Sequence, residues 1–103
     1  MGKEYKLSYL PLFEQDLASV RDYIANNLQN PSAALRLVED TEKAILKRQR
    51  DPLAYEPYRS NKARKHTYYR IYVRNYTVFY VVIGDVMEVR RFLYSKRDIP
   101  GIL

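Results

Sequence analysis

Residues 68–97 read Tyr-Tyr-Arg-Ile-Tyr-Val-Arg-Asn-Tyr-Thr-Val-Phe-Tyr-Val-Val-Ile-Gly-Asp-Val-Met-Glu-Val-Arg-Arg-Phe-Leu-Tyr-Ser-Lys-Arg. β-Branched and aromatic side chains dominate, and these suit a pleated, half-buried surface. Two turn signals cut the stretch, Arg74-Asn75 and Gly84-Asp85. Glycine takes positive φ at a two-residue hairpin loop without steric cost, and Asp tolerates it. Three consecutive antiparallel strands are therefore predicted over 68–73, 76–83 and 86–93. Counting outward from Gly84-Asp85 sets Ile83 opposite Val86, Val81 opposite Glu88 and Phe79 opposite Arg90. One face then carries Thr77, Phe79, Val81, Ile83, Val86, Glu88, Arg90 and Phe92. The other carries Tyr76, Val78, Tyr80, Val82, Met87, Val89, Arg91 and Leu93. The second set is the more continuously apolar and is assigned to the core, leaving the first to solvent or a partner.

Upstream of the strands, residues 51–64 contain two prolines and no clear period. They read as a crossing loop, with Leu53, Tyr55 and Tyr58 expected to pin it to the core. Before that loop, Asn30-Pro31 opens a helix as N-cap and first helical residue. Ala34, Leu37, Val38, Thr41 and Ile45 form its inward stripe, Glu39 and Lys43 pair across one turn, and Asp51-Pro52 ends it. An earlier helix begins at Pro11, keeps Phe13, Leu17, Val20 and Ile24 on one side, and stops at Asn26-Asn27. The short link makes the two an antiparallel hairpin. Tyr5–Tyr9 alternates and is expected as a strand that must join the later sheet, since unpaired backbone groups are costly. The predicted fold is α+β: an N-terminal strand and a two-helix hairpin packed on a mainly antiparallel four-stranded sheet, in a single domain over 1–103.

With 103 residues, 47% hydrophobic and 29% charged, the chain fits an ordinary soluble domain with one core. No apolar run approaches the length of a membrane span, and no signal-peptide pattern opens the chain, so the cytoplasm is the expected location. The absence of cysteine removes disulfides and thiolate metal sites. Charge is unevenly spread. Residues 1–46 hold 5 basic and 7 acidic side chains, net −2, and residues 47–103 hold 13 and 5, net +8. A basic half of that strength favours a polyanionic partner, nucleic acid or an acidic protein.

For chemistry, the single histidine, His66, reads first as a surface residue at a strand mouth. The carboxylates are dispersed, so no metal site is expected and no cofactor is implied. The remaining candidates are cations interleaved with phenol rings: Arg59, Lys62, Arg64, Lys65, Tyr68, Arg70, Tyr72, Arg74, Arg90, Arg91, Tyr94, Lys96 and Arg97. Such a set suits phosphate binding with bases stacked on aromatic faces. It would also suit metal-independent RNA cleavage, in which the ribose 2′-OH attacks, arginines stabilise the phosphorane and a Tyr or Lys moves protons.

Three pieces carry a resemblance: Asn30-Pro31-Ser32-Ala33-Ala34-Leu35-Arg36-Leu37, then Arg70 to Tyr80, then Met87 to Asp98. In order and spacing the chain resembles the RelE/ParE superfamily of type II toxin–antitoxin toxins over nearly its whole length. The resemblance implies a growth-inhibiting toxin held inactive by a cognate antitoxin. That antitoxin is expected to use the apolar groove beside the helices and the basic face. RelE-like members cleave mRNA on the ribosome, and ParE-like members poison DNA gyrase. The basic second half and its tyrosines favour ribosome-dependent mRNA cleavage, which would make the protein an endoribonuclease. The alternatives are a ParE-like gyrase poison without nuclease activity and a non-toxic RNA-binding module. By resemblance the catalytic candidates are Arg70, Arg91, Tyr94 and Arg97; the set of cations and rings itself supplies the nucleic-acid-binding candidates Lys62, Arg64, Lys65, Arg74, Arg90 and Lys96. Two positions depart from the RNA-cleaving pattern: Thr77 stands where Arg is common, and Ile99-Pro100-Gly101 brings no late tyrosine.

Overall fold

The computed structural model describes residues 4–59, 64–97 and 99–103. Strand β1 (Lys6–Tyr9) leads into helix α1 (Pro11–Asp22), a π-helical turn (Tyr23–Asn27) and helix α2 (Pro31–Arg48). Strands β2 (Tyr69–Val73), β3 (Tyr76–Ile83) and β4 (Val86–Tyr94) follow, then a one-turn helix α3 (Ile99–Ile102). The sheet order is β1-β4-β3-β2, with β1 parallel to β4 and the other pairs antiparallel. This is the expected α+β arrangement.

The helix ends follow local chemistry. Pro11 occupies the first turn of α1, where its missing N–H removes no bond. Asn30 Oδ1 accepts the Ala33 N–H at 3.1 Å and caps α2. Between them the helix ends at the expected Asn26-Asn27, its last turn widened to π-helix (Tyr23–Asn27). Leu28 N–H reaches the Tyr23 carbonyl (3.1 Å) and Asn30 N–H the Ile24 carbonyl (3.1 Å). Gln29, at φ 51°, makes the left-handed step that reverses direction.

One face of the sheet packs on the helices. Phe13 of α1 and Leu37 and Ile45 of α2 close over Ile71, Val73, Val78, Tyr80, Met87, Val89 and Phe92. The predicted register holds from the Gly84-Asp85 turn as far as Tyr80 opposite Val89, then slips. Tyr80 faces Val89 but Phe79 faces Arg91, so Arg90 is an extra residue in β4. Such a bulge reverses the facing of every later residue on its strand. Phe92, not Leu93, therefore enters the helix-side core, and Arg91 leaves it.

The opposite face is not simply solvent. Phe79 and Leu93 are buried there with Ile99, under Tyr58, Tyr68, Ile102 and Leu103. The crossing loop reaches this face through Tyr58, which bridges to Tyr68 and packs edge-on against Phe79. Leu53 (49% exposed) and Tyr55 (45%) stay outside, contrary to the expectation that they would pin the loop. Pro52 takes that role: it is fully buried, and its carbonyl accepts the Tyr80 hydroxyl at 2.7 Å.

Both sheet edges are managed by side chains. Beyond the end of β1, the outer edge of β4 is met by Asp16 of α1. Its carboxylate accepts Phe92 N–H (3.0 Å) and Arg91 Nε (2.7 Å) and Nη2 (3.1 Å). On the β2 edge, Arg48 Nη1 donates to the Arg70 carbonyl (3.1 Å) and the Tyr80 hydroxyl (2.9 Å). Edge backbone groups left open invite intermolecular pairing.

Candidate functional site

The bulge and the two hairpins sort the candidate residues onto different sides. Arg70 sits opposite Phe79 and so points to the face away from the helices. Its guanidinium lies 5.3 Å from the Tyr58 ring and 5.6 Å from the Tyr72 ring, a cation–π setting. Beside it is a cavity of about 260 Å³ lined by Arg70, Arg97, Thr77, Ser95, Tyr58 and Tyr72, with Phe79 and Ile99 as its apolar part. The Thr77 and Ser95 hydroxyls are hydrogen-bonded at 2.7 Å. Two guanidinium groups beside a pair of hydroxyls suit an oxyanion.

Tyr94 lies elsewhere. It faces Tyr76 in the register and meets it edge-on, while Tyr76 stacks on Phe92 of the helix-side core. Arg70 and Tyr94 thus stand on opposite faces of one sheet. Burial, reinforced by Tyr94 and Tyr23, holds the Tyr76 phenol above its ordinary range.

Arg91 is held by the Asp16 carboxylate, with both side chains less than a fifth exposed. The hydrogen bond to Asp16 raises the Arg91 pKa further, against the opposing effect of burial. Arg90, the bulge residue, donates to Glu88 at 2.7 Å and to the Tyr68 hydroxyl at 3.2 Å. Burial pulls the Arg90 pKa down, and those two bonds more than restore it. Arg74 pairs with Asp40 of α2 at 2.6 Å. These three arginines serve as links between elements.

Arg64 stands over the Tyr68 ring at 5.5 Å. Lys65 and Lys96 are exposed. Lys62 lies outside the described residues. His66 borders a further cavity with Arg64 and Tyr68. Among the described residues, no three His, Cys, Asp or Glu side chains gather as metal ligands would.

Two features escaped the sequence reading. Asp16 is not among the candidates named above, although it lies one turn beyond Phe13 and one turn before Val20, on the border of the apolar stripe of α1. The Thr77–Ser95 pair depends on the register beyond the bulge, which no local pattern announces.

The family model described as the ParE toxin of the type II toxin–antitoxin system parDE matches residues 7–99. The chain belongs to this family. It is thereby a RelE/ParE-superfamily member, as the three quoted motifs implied. No curated protein matches this ParE-family chain by sequence. Among solved structures, the chromosomal ParDE system from P. aeruginosa aligns with a TM-score of 0.75 at 16% identity, covering 90% of this chain and 98% of that one. The RelE–RelB complex from Pyrococcus horikoshii OT3 gives 0.56 at 16% identity, covering 91% and 98%. The E. coli DinJ–YafQ complex gives 0.55 at 9% identity, covering 87% and 92%. At such identities the likeness is one of fold.

Proposed function

We propose that this ParE-family chain arrests growth by docking on DNA gyrase, and that a cognate antitoxin silences it. The observation that carries this reading is the make-up of the Arg70 cavity. Arg70, Arg97, Thr77 and Ser95 can hold an anion, but none of the described lining residues is an imidazole or a carboxylate. Strand cleavage needs groups to take and give protons within hydrogen-bond reach. Tyr94, the expected proton carrier, is on the other face. A surface that binds charge and, among the described residues, offers no side chain but phenols for proton transfer suits a poison that traps a protein–DNA complex.

The cavity beside the helices supports the antitoxin half of the proposal. Tyr9, Phe13 and Leu17 line a groove of about 340 Å³ rimmed by Glu14 and Glu42. An antitoxin segment with apolar anchors flanked by cations would complement it. The solved relatives described as ParDE, RelE–RelB and DinJ–YafQ are toxin–antitoxin systems or complexes.

Ribosome-dependent mRNA cleavage keeps one supporting observation. Tyr72, 64% exposed, stands beside Arg70 and could present a phenol to a bound strand. The deciding experiment is induced expression with DNA and protein synthesis followed in parallel, together with purified gyrase. The proposal expects DNA synthesis to fail first and cleaved DNA to be trapped on gyrase. Intact gyrase activity with cuts in translated messages would transfer the assignment to the nuclease reading. Harmless expression without an antitoxin would remove both.

A further inference from the structure

A second cavity, of about 420 Å³, opens beside the Arg70 site on the same sheet face, lined by Tyr58, Arg59, Arg64, His66, Thr67 and Tyr68. Its chemistry centres on Arg64. Both terminal nitrogens of that guanidinium, Nη1 and Nη2, are buried and have no hydrogen-bond partner among the described residues. The Tyr68 ring lies 5.5 Å away, but a ring face accepts weakly. Arg90 approaches the same ring at 5.7 Å, yet its own charge is answered by Glu88. No carboxylate pairs with Arg64 among the described residues. A buried charged fork with unmet donors is costly in the folded state unless an acceptor enters.

The acceptor that fits is a tetrahedral oxyanion. A guanidinium edge matches two oxygens of a phosphate, and the lining residues Arg59, His66 and Thr67 carry further donors. A carboxylate has only two oxygens, too few to engage donors on several sides of the cavity. We propose that this cavity binds a phosphate group with Arg64 as its fork, whether the phosphate is free or part of a nucleic-acid strand. The proposal goes beyond the toxin reading and does not depend on the cellular target, because its test reads binding rather than growth arrest.

The test titrates the isotope-labelled full chain with inorganic phosphate, chloride being exchanged to hold ionic strength constant, and follows the arginine Nε–H resonances. A saturable shift at Arg64 is expected. Arg64→Gln should weaken binding by about tenfold or more, Arg64→Lys should retain part of it, and Lys43→Gln on α2 should leave it unchanged. A mononucleotide and a single-stranded oligonucleotide form the second arm: tighter binding by the strand with the same Arg64 shift assigns the phosphate to a polymer, and equal binding assigns it to a free ligand. Absence of saturation, acetate acting as strongly as phosphate, or an Arg64→Gln protein that folds and binds like the parent would each overturn the proposal. Should Arg64→Gln not fold, His66→Ala and Arg64→Lys must both weaken binding for it to stand.

Discussion

Asp16→Ala is the substitution through which the packing argument is most open to measurement. The carboxylate accepts three hydrogen bonds, two from Arg91 and one from the Phe92 backbone. The Asp16 and Arg91 side chains are 14% and 18% exposed. An exposed ion pair contributes about 0–1 kcal/mol. Removing one partner of a buried pair costs about 3–5 kcal/mol, because the other charge stays buried and unanswered. The low exposure puts this pair nearer the second limit, and residual solvent contact trims the loss to about 3 kcal/mol. Asp16→Asn keeps an acceptor for the Phe92 N–H and should cost about half as much. Urea unfolding of Asp16→Ala, Arg91→Ala and the double variant closes a cycle, with an expected coupling of about 1.5–2 kcal/mol. For a domain of this size, a loss of about 3 kcal/mol lowers the melting temperature by more than about 10 °C. A loss under about 1 kcal/mol, or a coupling near zero, would refute the claim that Asp16 fastens α1 to the open edge of β4. The Lys6–Asp85 pair, at 3.9 Å and with both side chains well exposed, is the internal contrast, and breaking it should change stability by less than about 0.5 kcal/mol.

Other outcomes follow from the same geometry. Gln29→Gly should stabilise by about 1 kcal/mol by relieving the left-handed φ of 51°; Arg74→Gly, at φ 55°, should gain less because it forfeits the pair with Asp40, and equal gains in thermal unfolding would contradict this. Asn30→Ala removes the α2 cap and should cost about 1 kcal/mol in a denaturant titration. Burial, partly offset by Arg48, raises the Tyr80 pKa, and Tyr9 is raised likewise, first by burial and then by Glu42 and Glu14. The unfolded chain releases these protons first, so their stability contribution is intact below about pH 10 and is lost as pH climbs through the folded-state values. Tyr80→Phe should flatten that alkaline loss while costing about 1–2 kcal/mol at neutral pH. In growth assays, Arg70→Ala should relieve arrest and Tyr94→Phe should not; equal relief by the two would favour a shared chemical role over docking.

Elements with a strong local signature were legible in the sequence. Pro11 and Asn30-Pro31 announced helix starts, and Gly84-Asp85 announced a turn, because each acts through its own backbone geometry. The parallel placement of β1 beside β4 was not legible, since nothing in Lys6–Tyr9 names its partner. The register failed at one residue. Arg90 looks like any strand position, and only the need to bury Phe92 against Phe13 and Tyr76 favours a bulge there. That slip decided the site as well. An unbulged β4 would have sent Arg91 and Leu93 toward the helices, whereas the observed one ties Arg91 to Asp16 and leaves Leu93 beneath α3. The cations could be named from sequence, but their division into structural links and open anion binders could not. For Arg91 and Arg74 it rests on the distant carboxylates Asp16 and Asp40, and for Arg90 on the bulge that turns it toward Glu88 and Tyr68.

The pairing of Lys6–Tyr9 with Val86–Val89 imposes an order in time as well as in space. During synthesis the first strand emerges long before its neighbour exists, and contacts between such distant segments are slow to form. Until then its hydrogen-bonding groups are free to be borrowed by another extended peptide. Any such borrowing would have to compete with the arrival of Val86–Val89, after which one edge of the strand is occupied by its own sheet.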